Sequence, residues 1–212
     1  MSTEQPPESR TERKKAEMRR NIVEVAAQLL ARHGIEGLSA EAVAKEADVA
    51  LQTVYNRVGG KPALLKAVTE LAIAENRRYM DVAYAQEGEP MARLERAANA
   101  YADFAFSHPH LFLLLNAPPD DEATQQLVAL KDIQNGKAIQ AYREGVERGE
   151  LRSDLPPEEA ITVLWAMING VLTLALQPGA HRLPEDGREG ILRVTTSILK
   201  QGLVRMATSN SL

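Results

Sequence analysis

The side chains best suited to a specific chemistry stand in the run LQTVYNR, residues 51–57. Helical spacing would turn Val54 inward, with Val49 just before it, and leave the remaining side chains exposed. Polar side chains at the N-terminal end of a short exposed helix are what base edges in the DNA major groove require. The exposed set predicted from this spacing is Leu51, Gln52, Thr53, Tyr55 and Asn56.

Short elements on either side would hold this segment in place. Ser39 is a good N-cap for a helix over Ala40–Ala47, and Asp48–Ala50 interrupt that helix. Gly59-Gly60 ends the exposed helix. Lys61-Pro62 begins the next one, with proline at a position where its missing N–H costs nothing.

A longer first helix is predicted behind these two short ones. Ser9 and Glu12 form a capping box that could start it, and apolar residues then recur at helical spacing. Gly34 is placed to end it in the left-handed conformation. Two short helices that are joined by a tight turn and backed by a longer one predict a helix-turn-helix.

These residues resemble the DNA-binding domain of the TetR family of repressors, strongly over residues 15–66 and more weakly, through helix lengths, beyond them. Three positions depart from the family pattern: Asp48 replaces a glycine in the turn, Ala50 replaces a serine cap, and Val58 replaces a packing aromatic residue. The missing cap should cost the exposed helix about 1 kcal/mol. The positions that carry the resemblance are Gly34, Ser39, Val43-Ala44, Ala47–Ala50, Tyr55, Lys61 and Leu64.

The resemblance implies phosphate and backbone contacts for four side chains. Ser39, at a helix N-terminus, would bind a phosphate, and Lys61 would contact the opposite phosphate wall. Thr53 and Tyr55 would contact the backbone or a thymine methyl group. Ser39 as a helix cap only, and Tyr55 as a packing residue, stay open as alternatives.

The resemblance also implies that Leu51, Gln52 and Asn56 read bases. The two amides would do so by pairing with adenine. Asn56 as a merely solvated residue stays open as an alternative.

The chain as a whole is predicted to be all-α, with about nine helices and no strand pattern of period two. The first three would form the helix-turn-helix domain, and the others a helical ligand-binding and dimerisation domain. The predicted limits are 1–9 for a disordered tail, 10–66 for the DNA-binding domain and 67–207 for the second domain.

The last two predicted helices are suited to association. The stretch 160–180 contains no charged residue, and we expect its helix to be buried on every side in protein instead of crossing a membrane. The final helix carries an apolar stripe. Two such helices from each of two subunits would close a four-helix interface, as the family does, and so form a homodimer.

Aromatic residues in the second domain are candidates for the lining of an effector site. Apolar walls with few polar groups would suit a lipophilic small molecule. The alternative is that these residues are ordinary core. Trp165-x-x-x-Asn169-Gly170 resembles a Trp, His-Gly signature of some TetR-type domains, with asparagine in place of the histidine. The five candidates are Tyr101, Phe104, Phe112, Tyr142 and Trp165.

Composition bounds the partners and the chemistry. The net charge is −4, but residues 1–66 hold 11 Lys and Arg against 9 Asp and Glu, so that end is net +2 and the remainder −6. A basic end on an acidic body suggests a local anionic partner. The absence of cysteine excludes thiol chemistry and fits a cytoplasmic protein. His108 and His110 lack nearby acids for a metal site.

The sequence therefore predicts a one-component transcriptional regulator without catalytic activity or cofactor. We expect a repressor that binds a palindromic double-stranded DNA operator as a dimer and leaves it when a small, lipophilic effector binds. An activator of the same fold and a helical interaction protein without sequence-specific DNA binding are the alternatives. An enzyme finds no support, because neither a nucleophile elbow nor a phosphate-binding glycine loop is present.

Overall fold

The computed structural model describes residues 9–116, 122–176 and 185–204, and these parts of the chain are helices linked by short loops. The predicted all-α fold is confirmed there, since the one extended pairing in the described ranges is an isolated bridge between Leu151 and Val204. Residues 1–8 of the predicted tail and 205–207 of the predicted second domain lie outside the described residues. The helices are α1 (Arg10–Gly37), α2 (Ala40–Glu46), α3 (Leu51–Arg57), α4 (Lys61–Ala85), α5 (Pro90–Ser107), α6 (Pro109–Asn116), α7 (Glu122–Glu147), α8 (Pro157–Leu176) and α9 (Glu185–Leu203).

Helices α1 to α3 pack around a small apolar core. The capping box predicted at the start of α1 is present: the Glu12 backbone N–H donates to Ser9 Oγ at 3.2 Å, and the Ser9 N–H donates to the Glu12 carboxylate at 2.9 Å. Gly34 adopts a φ of +66° and kinks the chain, which then continues helically to Gly37. The fully buried side chains of this core include Ile22, Ala26, Leu38, Val43, Val54 and Leu64.

Helix α4 connects helices α1 to α3, here called the head, to helices α5 to α9, which together with most of α4 form the body. It follows α3 after three residues and packs on α5, α6 and α7. Inside the body, Gln134 Nε2 of α7 donates to Asn76 Oδ1 of α4 at 2.7 Å, and the Tyr84 hydroxyl donates to the Gln134 carbonyl at 3.1 Å. These bonds hold two positions of α4, about two turns apart, against the single residue Gln134 of α7.

Helix α5 lies at the centre of the body and contacts α4, α6, α7, α8 and α9. The loop between α7 and α8 holds the end of α9, because the Arg152 N–H donates to the Leu203 carbonyl at 3.0 Å. Lys200 of α9 also lies 3.0 Å from the Glu95 carboxylate of α5. The C-terminal end of α9 is therefore anchored by polar contacts to the α7–α8 loop and to α5.

Helix α8 is buried on one face only within the subunit. Ile161 and Leu172 are in the core, whereas Val163 and Leu174 are 57% and 58% exposed. Burial on every side, which we expected from the sequence, is thus not reached by one subunit alone. In the described part of the chain, α8 is the one helix apolar and long enough to cross a membrane by composition, a test that core helices of soluble proteins also pass.

Candidate functional site

Helix α3 presents a mixed polar and apolar face to solvent. It spans Leu51–Arg57, the limits predicted from the sequence, and Val54 is its one fully buried side chain. Leu51 and Tyr55 are 39% and 48% exposed although they are large and apolar or aromatic. Because Val54 fixes the rotation of the helix, the exposed face is held outward.

The two amide side chains of α3 are hydrogen-bonded to each other. Gln52 Nε2 donates to Asn56 Oδ1 at 3.0 Å, and both side chains are exposed. Their spacing of four residues places them on one face of the helix, one turn apart. Thr53, on the neighbouring side, is half-buried.

The turn before α3 contains two of the three departures from the family pattern, Asp48 and Ala50. Asp48 has a φ of +52°, the left-handed conformation that glycine adopts without strain and that aspartate tolerates better than most residues. Ala50 is the N-cap of α3 and provides no side-chain hydrogen bond to the helix. The Thr53 N–H donates to the Ala50 carbonyl at 2.8 Å, but no side chain accepts from the first N–H groups of α3.

We expect Ala50→Ser to raise the free energy of unfolding by about 1 kcal/mol, because the serine hydroxyl can accept a hydrogen bond from the first turn of α3. Urea denaturation at one fixed protein concentration measures it. Ala85→Ser, an exposed change at the last residue of α4, is the control that should not stabilise the protein. An Ala50→Ser protein no more stable than the wild type would contradict the prediction.

Ser39 and Lys61 lie at the N-terminal ends of the helices on either side of α3. Ser39 is the N-cap of α2, and its Oγ accepts from the Ala42 N–H at 3.1 Å, so the capping role is present. Lys61 begins α4 after Gly60 and is half-buried, with no hydrogen bond or ion pair in the described part of the chain. The Tyr55 ring lies against Gly60, 3.6 Å from where a Cβ would stand, so it packs as well as being exposed.

Arg19 and Arg20 of α1 lie along the middle of α4, away from Lys61. Arg19 is 3.8 Å from the Glu70 carboxylate, and both residues line a groove of about 380 Å³ between the two helices. Glu70 stands nine residues into α4, roughly 13 Å from its start. The positive charge counted in the N-terminal part of the sequence is thus distributed over more than one surface.

Four of the five predicted effector-site residues form one aromatic cluster in the body. The Tyr101 ring centroid lies 5.2 Å from that of Trp165, 5.6 Å from Phe112 and 6.4 Å from Phe104. Phe104 and Phe112 are fully buried. The Tyr101 hydroxyl donates to Asn169 Oδ1 at 2.8 Å, and burial raises the pKa of Tyr101 to about 12. Tyr101 therefore stays neutral and acts as a hydrogen-bond donor.

Tyr142, the fifth candidate, is not part of this aromatic cluster. Tyr142 is fully buried in α7, and its hydroxyl donates to the Arg152 carbonyl in the α7–α8 loop at 2.8 Å.

The Trp165 indole N–H is buried and has no hydrogen-bond partner among the described residues. Buried donors without a partner are rare in folded proteins, so this one marks a position where an acceptor would be favourable.

Two neighbours of the cluster were not singled out from the sequence as site residues: Tyr79 of α4 and Asn169 of α8. Tyr79 stacks edge-on against Phe104 and against His108, with centroids 6.0 and 5.9 Å apart. His108 Nε2 lies 3.7 Å from the Glu75 carboxylate, which is also on α4, so the expectation that no acid lies near this histidine was wrong. Helical spacing gave no signal for these contacts, since they join residues far apart in the chain.

A cavity of about 510 Å³ opens between the second half of α4 and α5. Arg96 donates to the carbonyl groups of Gln86 and Glu87, at 2.8 and 3.1 Å, and so closes the end of α4. A molecule bound here would touch the helix that begins at Lys61. The lining is polar and apolar together: Arg78, Tyr79, Val82, Ala83, Gln86, Arg96, Asn99, Ala100 and Asp103.

Two segments of the chain match known protein families. Residues 22–68 match the family described as bacterial regulatory proteins, tetR family, and residues 94–198 match the tetracyclin repressor-like C-terminal domain. Together these segments cover more than half of the 212 residues.

Relatives and solved structures agree with these matches. The chain is 29% identical over 150 residues, 70% of its own length and 74% of the relative's, to the HTH-type transcriptional repressor SCO4008 of Streptomyces coelicolor. It has a TM-score of 0.72 to the ketosteroid transcriptional regulator KstR2 of Mycobacterium tuberculosis, at 14% identity over 89% of this chain and 95% of that one. AibR, solved in complex with isovaleryl coenzyme A and operator DNA, also has a TM-score of 0.72, at 18% identity over 85% and 97% of the two chains.

Proposed function

The chain belongs to the TetR family of transcriptional regulators, and from this premise we propose that it is a repressor that binds a palindromic operator as a homodimer and is released by a small lipophilic effector. The observation that supports DNA binding most directly is the outward face of α3, held by the buried Val54. In the proposed division, residues 10–66 bind DNA and residues 67–207 bind the effector and the second subunit.

The proposed DNA contacts follow from the positions of the side chains around α3. Leu51, Gln52 and Asn56 face outward and would meet base edges in the major groove. Thr53 and Tyr55 would lie against the sugar-phosphate backbone or a thymine methyl group. Ser39 on one side and Lys61 on the other would bind the phosphates that border the groove.

We expect Lys61→Ala to weaken binding to every DNA sequence and to flatten the dependence of affinity on salt. Each lysine that neutralises a phosphate contributes about −0.9 to the slope of log K against log salt, so two subunits should lose about 2 units. Fluorescence anisotropy over a range of salt concentrations measures the slope. Lys137→Ala, on α7, is the control and should leave this slope unchanged. If the Lys61→Ala protein has the same slope as the wild type, Lys61 does not contact a phosphate.

The proposed homodimer uses the exposed apolar faces of α8 and α9. Val163, Met167 and Leu174 follow one stripe of α8, and Val194 and Ile198 follow one stripe of α9, each between 38% and 58% exposed. A cavity of about 320 Å³ opens between the two helices and is lined mainly by apolar side chains. Exposed apolar stripes on adjacent helices favour a four-helix contact between two copies.

The proposed effector site is the aromatic cluster around Tyr101. The unpartnered Trp165 N–H and the Tyr101–Asn169 pair would give an otherwise apolar site a few oriented polar groups. Tyr79 joins this cluster to α4, 18 residues after Lys61. Effector binding that moves Tyr79 would tilt α4 and shift the DNA-binding domains of the dimer. Operator affinity would then fall by the factor by which the effector prefers the shifted conformation to the DNA-bound one. The AibR complex supports the idea that this architecture accepts a small molecule and operator DNA.

Family members act as DNA-binding regulators. We propose that this chain does the same and works without catalysis or a cofactor. Among the described residues no cluster of three or more His, Cys, Asp or Glu could hold a metal ion. We propose that the protein works in the cytoplasm, where its operator is, with α8 as a subunit contact instead of a membrane span.

Selection of bound duplexes from a random pool tests the proposal. The expected result is an inverted repeat whose half-sites are one helical turn apart and whose binding weakens with salt. Absence of any selected sequence would favour the helical interaction protein. Fusion of the selected site to a reporter separates a repressor from an activator, because deletion of the regulator should raise expression in the first case and lower it in the second.

A further inference from the structure

The hydrogen bond between Gln52 and Asn56 links two exposed side chains of α3 into one unit. We propose that Gln52 reads a single adenine with both of its amide groups, and that Asn56 is a positioning residue that selects the orientation of that amide. This inference rests on the proposed operator binding and specifies how one base pair is recognised.

The direction of the bond decides which base Gln52 can pair with. A glutamine amide carries two N–H donors and one oxygen acceptor, and one N–H is used on Asn56 Oδ1 at 3.0 Å. One N–H and the oxygen remain. Adenine offers N7 as an acceptor and N6–H₂ as a donor, which matches this remaining pair.

Guanine is disfavoured by the same bond. Its major-groove edge offers two acceptors, O6 and N7, and would need two N–H donors from Gln52. Because one donor is held by Asn56, only one hydrogen bond to guanine can form. Asn56 therefore contributes to specificity by occupying a donor, without contacting the base pair that Gln52 reads.

The position of each residue in α3 supports this division. Gln52 is the second residue of the helix, and residues near the N-terminus of a recognition helix reach base edges first. Asn56 is one turn further on. Leu51 and Tyr55, spaced in the same way along the adjacent row, flank the amide pair and would exclude water from it once DNA is bound.

The test measures how well operators changed at one base pair compete with the selected operator for binding. It is done with the wild-type protein, with Gln52→Ala and with Asn56→Ala. Both variants should lose discrimination at the same base pair, each by about tenfold or more. The double variant should be within about twofold of Gln52→Ala alone, because the two residues act as a unit. Asn56→Asp keeps the acceptor and should keep the preference for adenine over guanine, although its charge lowers the affinity for all DNA.

Gln140→Ala is the matched control. Gln140 donates to Glu144 at 3.0 Å with the same spacing of four residues, in an exposed part of α7. Its loss should leave the operator profile unchanged. Asn56→Ala that leaves the preference for adenine intact at the base pair read by Gln52 would overturn the inference while operator binding itself stands. A wild-type protein that selects no site would overturn the proposed function, and this inference with it.

Discussion

Replacing Val163 of α8 with aspartate is expected to convert the proposed dimer into monomers and to lower operator affinity by about 10²–10⁴-fold. The side chain is 57% exposed in one subunit and lies on the apolar stripe that the partner would cover. A carboxylate buried there without a partner would oppose association. With association lost, the two heads would no longer bind adjacent half-sites together.

Sedimentation and anisotropy with the selected operator measure these two effects. Val128→Asp is the matched control, since Val128 of α7 is 52% exposed but lies on neither of the last two helices. It should leave mass and affinity unchanged. A Val163→Asp protein that keeps the mass of two subunits would place the interface elsewhere.

Truncating Phe104 to alanine is expected to destabilise the protein by about 3–5 kcal/mol. Phe104 is fully buried in α5, with Tyr79, Tyr101 and His108 rings around it at centroid distances of 6.0 to 6.4 Å. Removal of the ring leaves a cavity that these neighbours can fill only in part.

Urea denaturation at one fixed subunit concentration measures this loss, because the stability of a dimer depends on concentration. Leu113→Ala, at a 36% exposed position of α6, is the control with a small effect. A cost below about 1 kcal/mol would contradict the close packing of the Phe104 ring against its neighbours.

The DNA-binding head was predictable because its signals are local. The limits of α3, the inward direction of Val54 and the caps at Ser9 and Ser39 depend on residues within four positions of each other, whose types set helix ends directly. The left-handed conformation of Asp48 follows from the same tight turn.

The arrangement of the body was less predictable. Tyr101 and Asn169 are 68 positions apart, and their hydrogen bond exists because α5 and α8 pack side by side. Tyr142 is an aromatic residue of a predicted body helix like the other candidates, yet its hydroxyl donates a hydrogen bond to the α7–α8 loop and not to the cluster. Periodicity gives the buried face of each helix but not which buried faces meet.

By itself, then, the amino-acid sequence determined the helices, the turn before α3 and the side chains that this helix exposes, because hydrogen bonds within one or two turns decide them. Only the tertiary structure decided that Arg19 lies along α4, that Tyr79 joins the aromatic cluster, and that α8 keeps an apolar face uncovered. These features depend on how distant helices share buried area, and that balance is reached only when the whole chain packs.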